Sequence, residues 1–107
     1  MTITSTSTPL KIDKLDPVIH ERARLGIMSL LVPAGSMSFV ELKRHLEMTD
    51  GNLSVHLRSL EQAGYVEVAK SFVDRRPRTE AVVTRKGRAA FKRYVEALAA
   101  IVKRTSK

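Results

Sequence analysis

Thr49-Asp50-Gly51-Asn52-Leu53-Ser54-Val55-His56-Leu57-Arg58-Ser59-Leu60-Glu61-Gln62-Ala63-Gly64-Tyr65-Val66 is the stretch whose reading decides the rest of the chain. Thr49 carries the oxygen that caps a helix, and Asp50 places a negative charge in the first turn, where the helix dipole favours it. Leu53, Leu57 and Leu60 recur at i, i+4 and i+7, so one apolar stripe is buried and Asp50, Gly51, Asn52, Ser54, Val55, His56, Arg58 and Ser59 face outward. Gly64 supplies the left-handed residue that ends the helix at about Ala63. Small and polar side chains on that face suit entry into a DNA groove. Asn pairs with adenine through two hydrogen bonds, Ser donates to or accepts from several bases, and a Val methyl packs on the thymine methyl. Asn52, Ser54 and Val55 lie nearest the N-terminal end and are the expected base contacts, with Arg58 one turn along on a phosphate. Gly51 costs about 1 kcal/mol relative to Ala in a helix. A close approach by the DNA backbone would explain it, and so would a loose first turn.

Upstream, Asp16 before Pro17 reads as an N-cap followed by proline at the first helical position. Val18, Ile19, Ala23, Ile27, Leu30 and Leu31 follow at helical spacing, which predicts a first helix ending before Pro33. Pro33 to Met37 reads as a loop. Ser38 then caps a short second helix, with Glu41 completing a capping box and Phe39, Val40, Leu42 and Leu46 as candidate core residues. Downstream, Tyr65, Val66, Val68, Phe72 and Val73 mark one strand and Thr79 to Thr84 another, joined by the turn Asp74-Arg75-Arg76-Pro77-Arg78. The last helix begins after Thr84 and carries Phe91, Tyr94, Val95, Leu98, Ile101 and Val102 on one stripe. It is long for its domain, so part of that stripe is expected to meet a second copy of the chain. Residues 1–14, with the Ser/Thr-rich run Thr2 to Thr8, read as a flexible tail, 15–104 as the domain and 105–107 as a basic end.

At 107 residues the chain has the length of one small domain, which association would help to stabilise. Its 19 Lys and Arg against 11 Asp and Glu give a formal charge of +8, and a polyanionic partner is the first inference. Clustering supports it: Arg75, Arg76 and Arg78 surround Pro77 at the hairpin tip, placed to meet a phosphate backbone or an adjacent minor groove. Lys43 and Arg44 on the second helix, and Arg85, Lys86 and Arg88 at the start of the last, are weaker backbone candidates. The chain has no cysteine, which excludes disulfides and thiolate chemistry. His20, His45 and His56 lack ligand spacing, and there is no nucleophile elbow, phosphate-binding loop or carboxylate pair. No metal, no cofactor and no catalysis are therefore expected. No apolar run is long enough to span a bilayer and no signal peptide opens the chain, which leaves a cytoplasmic protein with no membrane partner as the default.

Helix, short helix, helix and hairpin in that order is the winged helix-turn-helix layout: mainly α with a small β-hairpin, made of a three-helix core, a two-stranded wing and a long C-terminal dimerisation helix. DGNLSVHLRSLEQAGYV (50–66) and RRPRT (75–79) resemble winged-helix regulators related to the MarR and ArsR families, in particular a small stand-alone winged helix DNA-binding domain group. The resemblance runs from about Leu15 to Leu98. It implies a prokaryotic, dimeric transcriptional regulator of double-stranded DNA, with Ser54 and His56 at the DNA, Leu57 in the core and the wing along the backbone. ArsR-type metal sensing is unsupported, since the ligating residue types are missing or scattered. With no room for a separate ligand domain, a small-molecule effector would have to bind in the dimer interface or near the N-terminal segment. A protein-interaction module and a non-specific chromosome-binding protein are the competing readings.

Overall fold

In the computed structural model, which describes residues 9–106, the periodicities above become four helices and three strands. These are α1 (Arg22–Ala34), β1 (Ser36–Ser38), α2 (Phe39–Leu46), α3 (Asp50–Gln62), β2 (Val66–Val73), β3 (Arg76–Val83) and α4 (Arg85–Thr105). Their shared core is Ile19, Ile27, Met28 and Leu31, then Leu42, the stripe Leu53, Leu57 and Leu60, then Val66, Ala81 and Val83, closed by Ala90 and Tyr94.

The first helix differs from expectation at both ends. Asp16 does cap backbone N–H groups, accepting from Val18 at 2.8 Å and Ile19 at 3.4 Å, but it caps an isolated turn that drives Ile19 into the core. The helix itself starts at Arg22, with Glu21 accepting from the Arg24 N–H at 2.8 Å. At its other end α1 runs through Pro33 to Ala34. Pro33 has no N–H to give to the Ser29 carbonyl, and the helix ends one residue later. Gly35, at φ 85°, then stops the helix, and Arg88 Nη1 donates to the orphaned carbonyl of Val32 at 2.8 Å.

The loop expected over residues 33–37 is in part a strand. Ser36, Met37 and Ser38 pair antiparallel with Val82, Ala81 and Glu80, so the sheet has three strands in the order β1-β3-β2 rather than two. Three residues are too few to show a period of two, and the pairing is supplied by the free edge of β3. Ser38 leaves that strand directly into the capping box: its Oγ accepts from the Glu41 N–H at 3.1 Å and Glu41 accepts from the Ser38 N–H at 3.2 Å. The Ser38 N–H and, at 3.0 Å, the Ser38 hydroxyl both donate to the Glu41 carboxylate and hold it below its ordinary value. Val40, expected in the core, is 67% exposed; Leu42 takes the buried position, with Phe39 and Leu46 packed beside it. Of the segment read as a tail, residues 1–8, including Thr2 to Thr8, lie outside the described residues, whereas Ile12–Lys14 form a 3-10 turn against α4.

The base of the hairpin is fastened to α4 by backbone and cap together. Thr84 donates its N–H to the Tyr65 carbonyl at 3.0 Å and its hydroxyl to the Gly64 carbonyl at 2.6 Å, while its Oγ1 accepts from the Gly87 N–H at 2.9 Å. The approach is so close that a Cβ on Gly87 would lie 2.2 Å from the Tyr65 carbonyl oxygen. The Tyr65 hydroxyl in turn donates to the Asp16 carboxylate, and Lys86 Nζ sits 5.9 Å from the Tyr65 ring centre. Burial, reinforced by the Asp16 hydrogen bond and charge, pushes the Tyr65 phenol up to about 12.

Two outcomes follow. Gly87→Ala should lose about 2 kcal/mol of stability in urea titration, because the clash is with backbone that cannot move without opening the hairpin base. Tyr65 is held protonated above its ordinary 10.0, so its contribution is complete below pH 10 and is lost as the pH rises through about 12. A spectroscopic tyrosinate titration should show that late step in the wild-type chain and not in Tyr65→Phe.

Candidate nucleic-acid interface

The helix α3 is anchored by its leucines and opened by its cap: Thr49 Oγ1 accepts from the Asn52 N–H at 3.2 Å. With Leu53, Leu57 and Leu60 in the core, Asp50, Gly51, Asn52, Val55 and Arg58 are exposed and Ser54 and Ser59 are half-buried at the flanks. A Cβ added to Gly51 would meet nothing within 4 Å, so the protein's own packing does not require glycine there. Ser54, Arg58 and Glu61 also line a groove between α3 and the hairpin, whose far wall is Val68, Lys70 and Thr79.

On α2, Lys43 Nζ lies 2.7 Å from Asp50 Oδ1 and Arg44 is exposed beside it. Both partners of the pair are solvated, so it is worth less than about 1 kcal/mol and is readily exchanged for a phosphate.

His56, expected at the DNA, also meets side chains of α1 and the residue before it. It is half-buried and turned toward the start of α1, its Nδ1 3.1 Å from Arg24 Nη1 and 3.6 Å from Glu21 Oε1. Arg24 also donates through Nε to the Val18 carbonyl at 2.6 Å. Burial raises the Glu21 carboxyl, but the Arg24 N–H hydrogen bond and the charges of His56 and Arg24 outweigh it and hold the group below its ordinary value. His56 thus tethers α3 to α1. Arg24 and Glu21 are the site residues that sequence reading missed, since the contact spans 32 positions between Arg24 and His56 and leaves no local pattern.

The hairpin turn is tighter than the five residues expected. Asp74 and Arg75 alone make it, at φ 52° and 67°, the pair of positive values that two-residue hairpin turns demand. Arg76, Pro77 and Arg78 belong to β3, opposite Val73, Phe72 and Ser71. Counting from the turn, Pro77 falls in a non-hydrogen-bonded pair with Phe72, so its missing N–H removes no bond from the β2–β3 ladder. Strand alternation puts Arg76 and Arg78 on the face away from the core, together with Glu80, whose carboxylate is 3.6 Å from Arg78. Arg75 is at the tip, and all three arginines are exposed. Of the weaker candidates, Arg88 is engaged with Val32 and Lys86 with the Tyr65 ring, while Arg85 is exposed.

The stripe on α4 divides. Tyr94 is 1% exposed and its hydroxyl is 2.8 Å from His20 Nδ1, so its surface is used within the chain. Phe91, Leu98 and Ile101 are half-buried, and Val95 and Val102 are 45% and 55% exposed. Among the described residues no cluster of three His, Cys, Asp or Glu side chains is placed to hold a metal, and no helix is long and apolar enough to cross a membrane.

Comparison with known proteins agrees with this geometry. A family model described as winged helix DNA-binding domain matches residues 23–102. The uncharacterized protein MJ0432 of Methanocaldococcus jannaschii is 41% identical over 78 residues, covering 73% of this chain and 85% of that protein. A transcriptional regulator homologue from Pyrococcus horikoshii OT3 superposes with a TM-score of 0.83 at 32% identity, over 90% of this chain and 96% of its own. Overoxidized AbfR, solved bound to DNA, superposes at 0.72 with 21% identity, over 83% of this chain and 65% of its own, a likeness of fold. Sequence match, element order and the exposed third helix beside a basic hairpin converge: the chain belongs to the winged helix DNA-binding domain family.

Proposed function

We propose that the chain is a sequence-specific regulator of transcription that binds double-stranded DNA as a homodimer and has no catalytic activity of its own. The observation that carries this reading is the outer face of α3, where Gly51, Asn52, Ser54 and Val55 present small and polar groups beside a hairpin bearing three exposed arginines. Asn52, Ser54 and Val55 touch base edges in the major groove; Arg58, Lys43, Arg44, Arg75, Arg76 and Arg78 neutralise phosphates or enter the minor groove. AbfR, which shares the fold, is solved bound to DNA, and this supports DNA as the partner. Gly51 is then explained from outside, by the approach of a sugar-phosphate strand to the start of the helix.

The second copy covers the open part of α4, Val95, Leu98, Ile101 and Val102. In such a dimer the two α3 helices read half-sites about one helical turn apart. A cleft of about 1000 Å³ between the segment around Leu10 and Asp16 and the α4 residues Ala97 and Ile101 is the place for a small-molecule effector.

Mobility shifts on the region upstream of its own coding sequence, with mixed-sequence competitor, test the reading. Asn52→Ala should cost about tenfold or more on the preferred site and change base preference there. Arg75→Ala with Arg76→Ala should instead weaken binding to every duplex and reduce the slope of log affinity against log salt by about 0.9 for each phosphate no longer neutralised. If preferred and mixed sequences compete equally, the protein is a non-specific chromosome binder and the assignment of base readout to α3 is wrong.

Gly51→Ala should separate folding from binding: urea titration should show a gain of up to about 1 kcal/mol in stability, and the same variant should bind DNA more weakly. Unchanged affinity in that variant would remove the close approach at Gly51.

A further inference from the structure

Phe72 is 75% exposed, the most exposed large hydrophobic side chain among the described residues, and nothing in the fold covers it. It stands on β2, the strand that neighbours α3, opposite Pro77 on β3. The face of the hairpin it occupies is the one that buries Val66, Ala81 and Val83 at its base, so Phe72 and Pro77 continue the core face outward into solvent. In a non-hydrogen-bonded pair the two side chains lie close, about 4.5 Å between Cα atoms, and together they make a small apolar plate.

The surroundings of that plate define what can cover it. Lys70 lies one pair nearer the core on the same face, with Arg58 of α3 on the other side of the groove, and Arg75 lies at the tip beyond it. A ligand seated there must be anionic on both sides of an apolar patch a few ångströms wide. A sugar-phosphate strand has that composition, with each deoxyribose lying between two phosphates. The dimensions agree as well. At about 3.3 Å per strand residue, Phe72 stands some 7–10 Å behind Arg75. That matches a minor groove about 7.5 Å deep, with the arginine at its floor and the ring at its lip.

We propose that Phe72, backed by Pro77, packs on a deoxyribose at the lip of the minor groove while Arg75 enters the groove. The inference rests on the DNA-binding reading above and adds to it an apolar contact on the wing that is indifferent to sequence and to salt. The wing then holds DNA by two different forces: its arginines by charge, which salt screens, and Phe72 by removal of apolar surface from water.

The chain has no tryptophan, so Phe72→Trp introduces a single indole whose emission reports this position alone. Titrating that variant with a mixed-sequence duplex at modest salt should shift or quench the emission in step with binding followed by mobility shift. In parallel, Phe72→Ala should weaken binding to the same duplex about tenfold while leaving the salt slope as in the wild type. Its thermal midpoint should be unchanged, since the side chain supports nothing in the free protein. If the wild type binds DNA but the indole emission stays constant at saturation, or Phe72→Ala binds within about twofold of wild type, the wing contact is overturned and the DNA-binding reading stands. If the wild type binds neither this duplex nor its upstream region, both fall.

Discussion

The hydrogen bonds that Thr84 makes to Gly64 and Tyr65, with the bare Cα of Gly87 pressed against the Tyr65 carbonyl, fix α3 and the wing relative to each other. At this one place the end of α3, the first residues of β2, the last of β3 and the start of α4 are joined. In the proposed DNA complex the helix and the wing reach adjacent grooves together, which requires a constant angle between them. Here that angle is set by backbone contacts and by one short side chain, the Thr84 hydroxyl, bonded on both sides. Tyr65 extends the same junction to the N-terminal segment through Asp16, so the chain before α1 is tied to the base of the wing as well.

The other end of α3 is held by different means. Its cap is exposed, its Lys43 to Asp50 ion pair is solvated and weak, and Gly51 leaves the first turn open. Between these ends His56 ties the middle of the helix to Arg24 and Glu21. The result is a helix firmly seated along its buried side and at its C-terminal end, with its N-terminal end open to solvent. The hairpin shows the same division: it is packed at Val66, Ala81 and Val83 and exposed from Lys70 to Arg78. Stability is concentrated in the base of the site, and the reaching parts add little to it.

Much of this architecture is legible in the sequence, for local reasons. Leu53, Leu57 and Leu60 repeat at a period only a helix satisfies, and Ser38 with Glu41 is a capping box whose two hydrogen bonds both form. What escapes reading depends on distant parts of the chain. Asp16-Pro17 looks like a helix start, but the helix begins six residues later because Asp16 is shared between a local turn and Tyr65, 49 positions away. Ser36 to Ser38 become a strand only because β3 offers an edge. Five residues look like a turn at the wing, whereas Asp74 and Arg75 accept positive φ and leave Arg76 to Arg78 to the strand. His56 matches a motif that implies DNA contact, and its contact with Arg24, 32 positions away, leaves no local pattern. Tyr94 fits the apolar stripe of α4 but is consumed by His20 and the core. In each case the residue type is plain in the sequence and its distant partner is not.

In the proposed function α3 and the wing form one DNA-binding surface while α4 is kept for a second copy. Mapping backbone amide chemical shifts by NMR during titration with duplex DNA measures this directly. Changes should be concentrated in Asn52 to Arg58 and in Lys70 to Arg78, with Val95 to Val102 unaffected. Changes centred on Val95 to Val102, with the third helix and hairpin silent, would contradict it.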